Sequence, residues 1–170
     1  MDFYTLIKER YSCKKYSDKR VSDELLQKIL AAGNAAPTAK NQQSQRIYVA
    51  NNDDALEKID KVTPCRYGAQ TVLLFTYNKN EVYIYPGEEK NTGMEDVSIV
   101  ATHIMLAAAN ECVNSCWVNN FDIKETRELF NIPDEEDIVL LMDIGYAAEG
   151  AGPLANHEKS KELSETVRYL

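Results

Sequence analysis

One long apolar helix constrains this chain of 170 residues more than any other feature. Residues 94–111 carry few charges after Asp96, and their apolar members point in all directions around the helix axis: Val97, Ile99, Val100, Ala101, Ile104, Met105, Leu106, Ala107, Ala108 and Ala109. A helix that is apolar all round is buried all round. A single domain of this length seldom encloses such a helix, so we expect its outer side, including Ala108, to pack against a second subunit. A helix enclosed within a monomer is the alternative.

Helices and strands alternate over the rest of residues 1–170, and no linker divides the chain. The spacing of apolar residues predicts helices at 2–9, 22–33, 53–60 and 122–130, and strands at 45–50, 71–77, 115–118 and 138–145. Residues 78–92 are predicted as a loop with a short extended piece at 82–85, and residues 147–170 as an extended tail. The pattern therefore predicts a single mixed α and β domain.

A basic stretch at residues 10–16 stands out because the chain as a whole is acidic. The chain has 19 Lys and Arg against 27 Asp and Glu, a net charge of -8. Residues 1–20 hold six basic and three acidic residues, so the remainder carries about -11. Such a chain lacks the broad basic face that nucleic-acid binding requires. The local excess indicates a small anionic ligand, with a solvated, salt-bridged N-terminus as the alternative.

Several classes of site and location are unsupported by the sequence. There is no apolar run of the ~18–20 residues that a membrane span needs, and no signal peptide at the N-terminus, so we expect a cytoplasmic protein. Cys13, Cys65, Cys112 and Cys116 are expected as free thiols, and no metal site is expected. His103 is expected as a core or interface residue. Glycine-rich phosphate loops and a G-x-S-x-G elbow are missing, so a cofactor is expected to carry any chemistry.

Side chains suited to phosphate and to a heterocycle occur in the basic stretch and in two further places. Arg10-x-Ser12-x-Lys14 offers a guanidinium, a hydroxyl and an ammonium, which are common phosphate donors. Lys159 and Lys161 in the tail are placed to reach the same anion, although they are equally consistent with a solvated tail. Asn41 and Gln43 offer amides that both donate and accept, although turn-forming roles explain them as well.

Four blocks in order along the chain resemble the nitroreductase family of flavoproteins, in its short single-domain branch. They are Arg10-Tyr11-Ser12-Cys13-Lys14-Lys15-Tyr16, similar to R-R-S-x-R-x-[FY]; Ala35-Ala36-Pro37-Thr38-Ala39-Lys40-Asn41-Gln42-Gln43, similar to A-P-S-x-x-N-x-Q; the long central helix followed by Ser115-Cys116-Trp117-Val118, similar to G-L-G-S-C-W; and Ile144-Gly145-Tyr146-Ala147-Ala148-Glu149, similar to [IL]-G-Y-P-x-E. Each block alone is weak, but four in register are specific.

The resemblance implies an α+β nitroreductase-like fold, with a central mixed, mainly antiparallel sheet flanked by helices. It also implies an intertwined homodimer with two FMN sites at the interface, in which residues 147–170 wrap the partner subunit. The implied activity is that of an FMN-dependent NAD(P)H oxidoreductase. Hydride would pass through flavin N5 in a ping-pong reaction to a small aromatic or quinone-type acceptor, with no obligatory catalytic side chain.

The resemblance also implies roles for particular residues. Arg10, Ser12 and Lys14, beside Tyr11, would hold the phosphate and the pyrimidine edge, with Lys14 giving electrostatic support. Pro37, Thr38 and Ala39 would line the flavin from one subunit, Asn41 would reach it from the other, and Gln43 would shape that wall. Cys116, Trp117 and Val118 would lie behind the ring, and Lys159 and Lys161 would close on the phosphate.

Departures from the family pattern leave other activities open. Tyr11 stands where a second basic residue is common, Lys14 replaces Arg, Asn114 replaces Gly and Ala147 replaces Pro. These changes bear on flavin affinity and potential more than on the fold. The alternatives are a flavin-binding protein without efficient turnover and a specialised flavin enzyme, such as a reductive dehalogenase.

Overall fold

The computed structural model describes residues 2–170. The helices are α1 (Phe3–Glu9), α2 (Asp23–Asn34), α3 (Asp53–Val62), α4 (Gly93–Asn110), α5 (Ile123–Phe130) and α6 (Leu163–Thr166). The strands are β1 (Gln45–Ala50), β2 (Thr71–Asn78), β3 (Asn114–Val118) and β4 (Glu136–Gly145). A short 3-10 turn covers Ala39–Asn41. Most predicted elements are therefore confirmed to within two residues, whereas α6 lies in a segment predicted as extended.

The four strands form one sheet in the order β1-β2-β4-β3, and each neighbouring pair is antiparallel. Ser12 adds a parallel bridge to Ser115 on β3, which makes the sheet mixed. β2 and β4 lie in the centre, and their long apolar runs are buried on both faces, as continuous apolar strands require. The structure confirms the predicted α+β class with a mainly antiparallel sheet.

Helices cover both faces of this sheet. On one face, Ile104 of α4 and Ile29 of α2 pack in a cluster with Phe75 and Met142. On the other face, α3 packs Leu56 and Ile59 against Leu74 and Leu141. The Ser22 hydroxyl caps α2 by accepting a hydrogen bond from the Leu25 amide at 3.3 Å.

Helix α4 approaches both α2 and β2 closely because two glycines lie at the contacts. A Cβ atom on Gly33 would stand 2.7 Å from Ile104, and one on Gly93 would stand 2.4 Å from the Tyr77 ring. Side chains larger than hydrogen at these positions would therefore push the elements apart.

Within one protomer, α4 is buried on one side only. Val97, Val100, Ile104 and Ala108 are fully buried in the protomer's own core. Ala108, which we predicted on the outer side, therefore lies inside. The opposite side is partly open, and Ile99 is 39% exposed there. An apolar outer side of this helix is consistent with the expected subunit contact.

The segments at 78–92 and 147–170 are the least regular parts of the chain. Residues 83–92 turn back on themselves in a small hairpin with an Ile84–Asn91 bridge. In it, the Tyr85 amide donates a hydrogen bond to the Lys90 carbonyl at 3.0 Å. In the tail, Tyr169 is 97% exposed. Among residues 2–170, no helix combines the length and the apolar character needed to cross a membrane.

Candidate functional site

Residues 10–17, which we call the N-terminal strip, are fixed along one edge of the sheet by backbone hydrogen bonds. The Cys13 amide donates to the Ser115 carbonyl of β3 at 3.0 Å, and the Ser17 amide donates to the Tyr146 carbonyl at 2.9 Å. The strip therefore extends the sheet beyond β3, with some of its side chains directed to the interior and others to the outside.

The two sides of the strip have different chemistry. Cys13 and Tyr16 point inward, with 0% and 7% of their surface exposed. Ser12 and Lys14 lie on the outer side, where Lys14 is exposed and Ser12 is half-buried. The basic residues that stood out in the sequence are thus presented outward by a strip whose other side is anchored in the core.

A cavity of about 300 Å³ lies on the outer side of the strip. It brings together six of the predicted site residues from the first and third sequence blocks: Arg10, Tyr11, Ser12, Lys14, Cys116 and Trp117. Three further lining residues come from the tail, namely Leu154, Asn156 and His157. The Ser12–Ser115 bridge explains this meeting, because it places residues 10–14 beside β3.

The cavity offers positive charge that no acid among residues 2–170 neutralises. Among residues 2–170, neither Arg10 nor Lys14 has a carboxylate within ion-pair distance. Arg10 contacts the sulfur of Met105 at 3.3 Å, and the Lys14 ammonium lies 5.7 Å from the centre of the Tyr67 ring. No Asp or Glu lines the cavity. Two cations and a hydroxyl on one concave surface favour an anionic ligand.

The tail reaches the cavity through residues that sequence reasoning missed. The ring of His157 packs edge-on against Tyr11, with centroids 6.4 Å apart, and its Nε2 lies 3.1 Å from the Lys8 carbonyl. In the Nε2–H tautomer this nitrogen donates a hydrogen bond that ties the tail to α1. Only the rarity of histidine in the chain singles out His157 in the sequence. Lys159 and Lys161 are exposed and do not line the cavity, so their role stays a prediction.

The second sequence block forms a separate cluster. Gln43 donates from Nε2 to Asn41 Oδ1 at 2.8 Å, and from its amide to the Thr38 hydroxyl at 3.1 Å. Lys40, Asn41 and Gln43 all have positive φ, of 49°, 56° and 51°. Left-handed backbone at residues other than glycine is strained and needs local support.

Asp96 supplies part of that support, and it also escaped the sequence analysis as a site residue. Its carboxylate accepts a hydrogen bond from the Ala39 amide at 2.8 Å and another from the Thr92 hydroxyl at 2.8 Å. Pro37, Thr38, Ala39, Asn41 and Gln43 do not line the cavity of the same protomer. Val118 also lies apart, buried in the core beneath the sheet. The flavin contacts predicted for these residues stay predictions.

A buried acid lies behind the cavity wall. Asp143 on β4 pairs with Cys116 across the β3–β4 ladder and is 1% exposed. Within residues 2–170, its Oδ2 atom and the Tyr16 hydroxyl have no hydrogen-bond partner. Burial raises the pKa of Asp143 to about 9, although the charge of Arg66 opposes this shift. Asp143 is therefore a neutral carboxylic acid at neutral pH.

The Cys116 thiol and the phenols of Tyr11 and Tyr16 are also neutral at neutral pH. Burial, with a smaller contribution from Asp143, raises the pKa of Cys116 to about 11. Burial also raises the pKa of Tyr11 and of Tyr16. Among residues 2–170, no group of three or more His, Cys, Asp or Glu side chains is placed to hold a metal ion.

The α+β sheet, with a cationic cavity beside its edge strand, resembles those of known proteins. The model of the Nitroreductase family matches residues 7–66 and 64–146 of this chain. The chain belongs to the Nitroreductase family, which confirms the resemblance inferred from the four sequence blocks.

Individual relatives agree with this assignment. The crystal structure of a nitroreductase family protein from Clostridium difficile 630 matches this fold with a TM-score of 0.93 and 35% sequence identity. The match covers 99% of this chain and 98% of the other. A protein from Methanothermobacter thermautotrophicus, provisionally named as an NADH dehydrogenase/NAD(P)H nitroreductase, is 31% identical over 89% of this chain and 81% of its own length. A crystal structure of a provisionally named nitroreductase from Exiguobacterium sibiricum, in complex with FMN, shares the fold, with a TM-score of 0.88 at 15% identity over 100% and 98% of the two chains.

Replacing Asp143 by asparagine should change how stability depends on pH. The pKa of Asp143 is about 9 in the folded protein against an ordinary value of 3.8, so the folded state binds more protons between these limits. The free energy of unfolding of wild type, relative to that of Asp143→Asn, is therefore greatest below pH ~4. Between the two pKa values it falls by up to about 1.4 kcal/mol per pH unit. Urea unfolding of both proteins at about pH 5 and pH 8 measures this change.

Asp137→Asn is the matched control, because Asp137 lies on the same strand with its side chain 44% exposed. Its stability relative to wild type should vary little over the same range. If the free energies of unfolding of wild type and Asp143→Asn differ by the same amount at both pH values, the assignment of a neutral buried acid is contradicted.

Proposed function

We propose that this protein is an FMN-dependent NAD(P)H oxidoreductase that reduces small aromatic or quinone-type acceptors. The observation that carries this proposal is the set of donors on the cavity, where Arg10, Ser12 and Lys14 converge without an acidic partner. The names of its relatives support the NAD(P)H part of the proposal, and the FMN complex of a protein with the same fold supports the cofactor.

The residues present fit FMN in chemistry, and the cavity is large enough for part of it. A guanidinium binds phosphate in two parallel hydrogen bonds, and the Ser12 hydroxyl and the Lys14 ammonium add further donors. The cavity of about 300 Å³ lies at the lower end of the ~300–1,000 Å³ typical of ligand sites. One protomer therefore supplies part of a flavin site, and we assign the remaining wall to the loop at 37–43 of a second protomer.

The side chains divide the binding task. Arg10 and Ser12 would hold the phosphate, and Lys14 would place its charge at the pyrimidine edge. FMN held by these residues would supply the redox chemistry, as a hydride acceptor toward NAD(P)H and an electron donor toward the second substrate. Tyr11 and Cys116, with raised pKa values, stay protonated at neutral pH and add no negative charge to the cavity. The lining thus binds and orients the cofactor, and Lys14 favours negative charge at the ring edge.

The test of this function is anaerobic mixing of the purified, FMN-loaded protein with NADH and, separately, with NADPH. Loss of the visible flavin absorbance within seconds, and its return when a quinone is added, are the expected results. A flavin colour that persists with both nucleotides would contradict the enzyme and favour a flavin-binding protein without turnover.

Arg10→Ala should reduce FMN binding. A hydrogen bond to a charged group contributes about 1.5–3 kcal/mol, so the Kd for FMN should rise roughly 10- to 150-fold. Arg20→Ala is the matched control, because Arg20 instead pairs with Asp53 at 2.8 Å on the surface. Flavin fluorescence titration of the apoprotein measures both variants. Equal FMN affinity in Arg10→Ala and wild type would contradict the phosphate role of Arg10.

We also propose that two copies of this chain form the functional homodimer. The outer side of α4 presents Ile99, His103 and Leu106 at helical spacing, and none of the three is fully buried in the protomer. The tail likewise leaves Leu163 and Tyr169 exposed, at 76% and 97%. Exposed apolar surface on both a central helix and a terminal arm is typical of subunits that exchange their termini.

Ile99→Glu should convert the dimer to monomer without unfolding it, because Ile99 is 39% exposed in the single protomer and a charge there would be buried only at the interface. Ile123→Glu on α5 is the matched control, since Ile123 is 52% exposed on a different helix. Light scattering after size-exclusion chromatography, with circular dichroism, reports mass and folding. A dimer that survives Ile99→Glu would place the interface elsewhere.

A further inference from the structure

The wall that carries the cavity's cations has an acid on its inner side. We propose that Asp143 is a positioning residue of the site: it acts through the wall on the positive charge that Arg10 and Lys14 offer to an anionic ligand. This inference rests on the proposed function, in which that ligand is FMN.

Asp143 is connected to the cavity through its neighbour Cys116. Asp143 and Cys116 are directly opposite each other in the β3–β4 ladder, and residues opposite each other project to the same face of a sheet. Cys116 itself lines the cavity together with Lys14. The strip adds a second connection, because Cys13 and Tyr16 point toward the interior from the segment whose other side carries Lys14.

The groups that surround Asp143 do not neutralise it. Cys13 and Tyr16 face it from the strip, Cys116 from β3 and the uncharged Val72 from β2. The loop at 65–67 adds Cys65, Arg66 and Tyr67.

Arg66 is the one cation of this set, and other groups already hold it. It donates to both oxygens of Asp60 at 2.6 Å and to the Ala69 carbonyl at 2.9 Å. Among residues 2–170, no cation lies within ion-pair distance of Asp143. The carboxyl is therefore buried without a compensating charge, and protonation is what makes its burial tolerable.

The protonation state of Asp143 determines the field at the cavity. As a neutral acid it leaves the charges of Arg10 and Lys14 free to attract an anion. As a carboxylate it would place a negative charge behind them in an interior where screening is weak, and the attraction for an anion would fall. The coupling is reciprocal, so a bound anion should make Asp143 harder to ionise.

The experiment measures binding of FMN, and of riboflavin as the analogue without phosphate, to the apoprotein from about pH 7 to pH 9.5. In wild type, the affinity for FMN relative to riboflavin should fall roughly three- to tenfold as Asp143 ionises. In Asp143→Asn the same ratio should fall less than in wild type, because the amide is neutral throughout. The remaining change would come from the nearby Cys65 thiol, whose pKa is lowered by its hydrogen bond with Tyr67. A residue with a purely structural role would shift both affinities without changing their dependence on pH.

Asp137→Asn is the control for removing an acid from β4. Asp137 does not line the cavity, and it accepts a hydrogen bond from the Tyr77 hydroxyl at 2.9 Å. The pH dependence of the affinity ratio in this variant should match that of wild type. A ratio that falls equally in wild type and Asp143→Asn overturns the role of Asp143 and leaves the proposed function intact. If Asp143→Asn does not fold, the wild-type protein alone decides. An affinity ratio of FMN to riboflavin that stays flat with pH overturns the role of Asp143, and a ratio that falls supports it. A wild-type protein that binds no FMN at pH 7 overturns both.

Discussion

The hydrogen-bonded attachment of the N-terminal strip to the sheet is the constraint on which the rest of the site depends. The Cys13 amide joins β3, and the strip then runs past the end of β4, where the Ala148 amide donates to the Lys15 carbonyl at 3.0 Å. Because these bonds use the backbone, they leave the side chains of the strip free. They also hold Cys13 and Tyr16 toward the core, while Ser12 and Lys14 lie on the outer side at the cavity. The outward position of Lys14 follows from the burial of its neighbour Cys13, because adjacent side chains of an extended segment project to opposite sides.

The central helix connects this site to the second cluster of predicted residues. The first turn of α4 holds Asp96, which binds the strained loop at 37–43, and its last turns lie near Arg10 through Met105. The same helix therefore supports both clusters, which lie apart in one protomer. A second copy that packs on the outer side of α4 would bring the loop of one chain toward the strip of the other. In such a dimer, the packing of α4 would set both the subunit contact and the shape of the cofactor site.

The sequence predicts the frame of the protein better than its finer contacts. Periodic apolar spacing places α4 and β2 within one residue of their observed bounds, because each buries a long regular face. The first and third blocks also meet as expected, since the Ser12–Ser115 bridge joins them. The tail residues at the cavity could not be predicted, because their position depends on contacts such as His157 with Tyr11 that are distant in sequence. The same holds for Ala108, whose environment depends on which side of α4 the protomer itself covers.

Asp143 illustrates why some functional candidates become visible only in the structure. In the sequence it interrupts the otherwise apolar run of β4 from Ile138 to Ile144, and nothing local distinguishes it from an exposed strand residue. In the structure it is buried, and among residues 2–170 no cation lies within ion-pair distance of it, so an apolar residue would pack there at lower energetic cost. Sequences are locally consistent with their folds except where function requires a departure. A carboxyl held uncharged behind two unpaired cations is such a departure, because it lowers stability as pH rises while leaving the anion site fully positive.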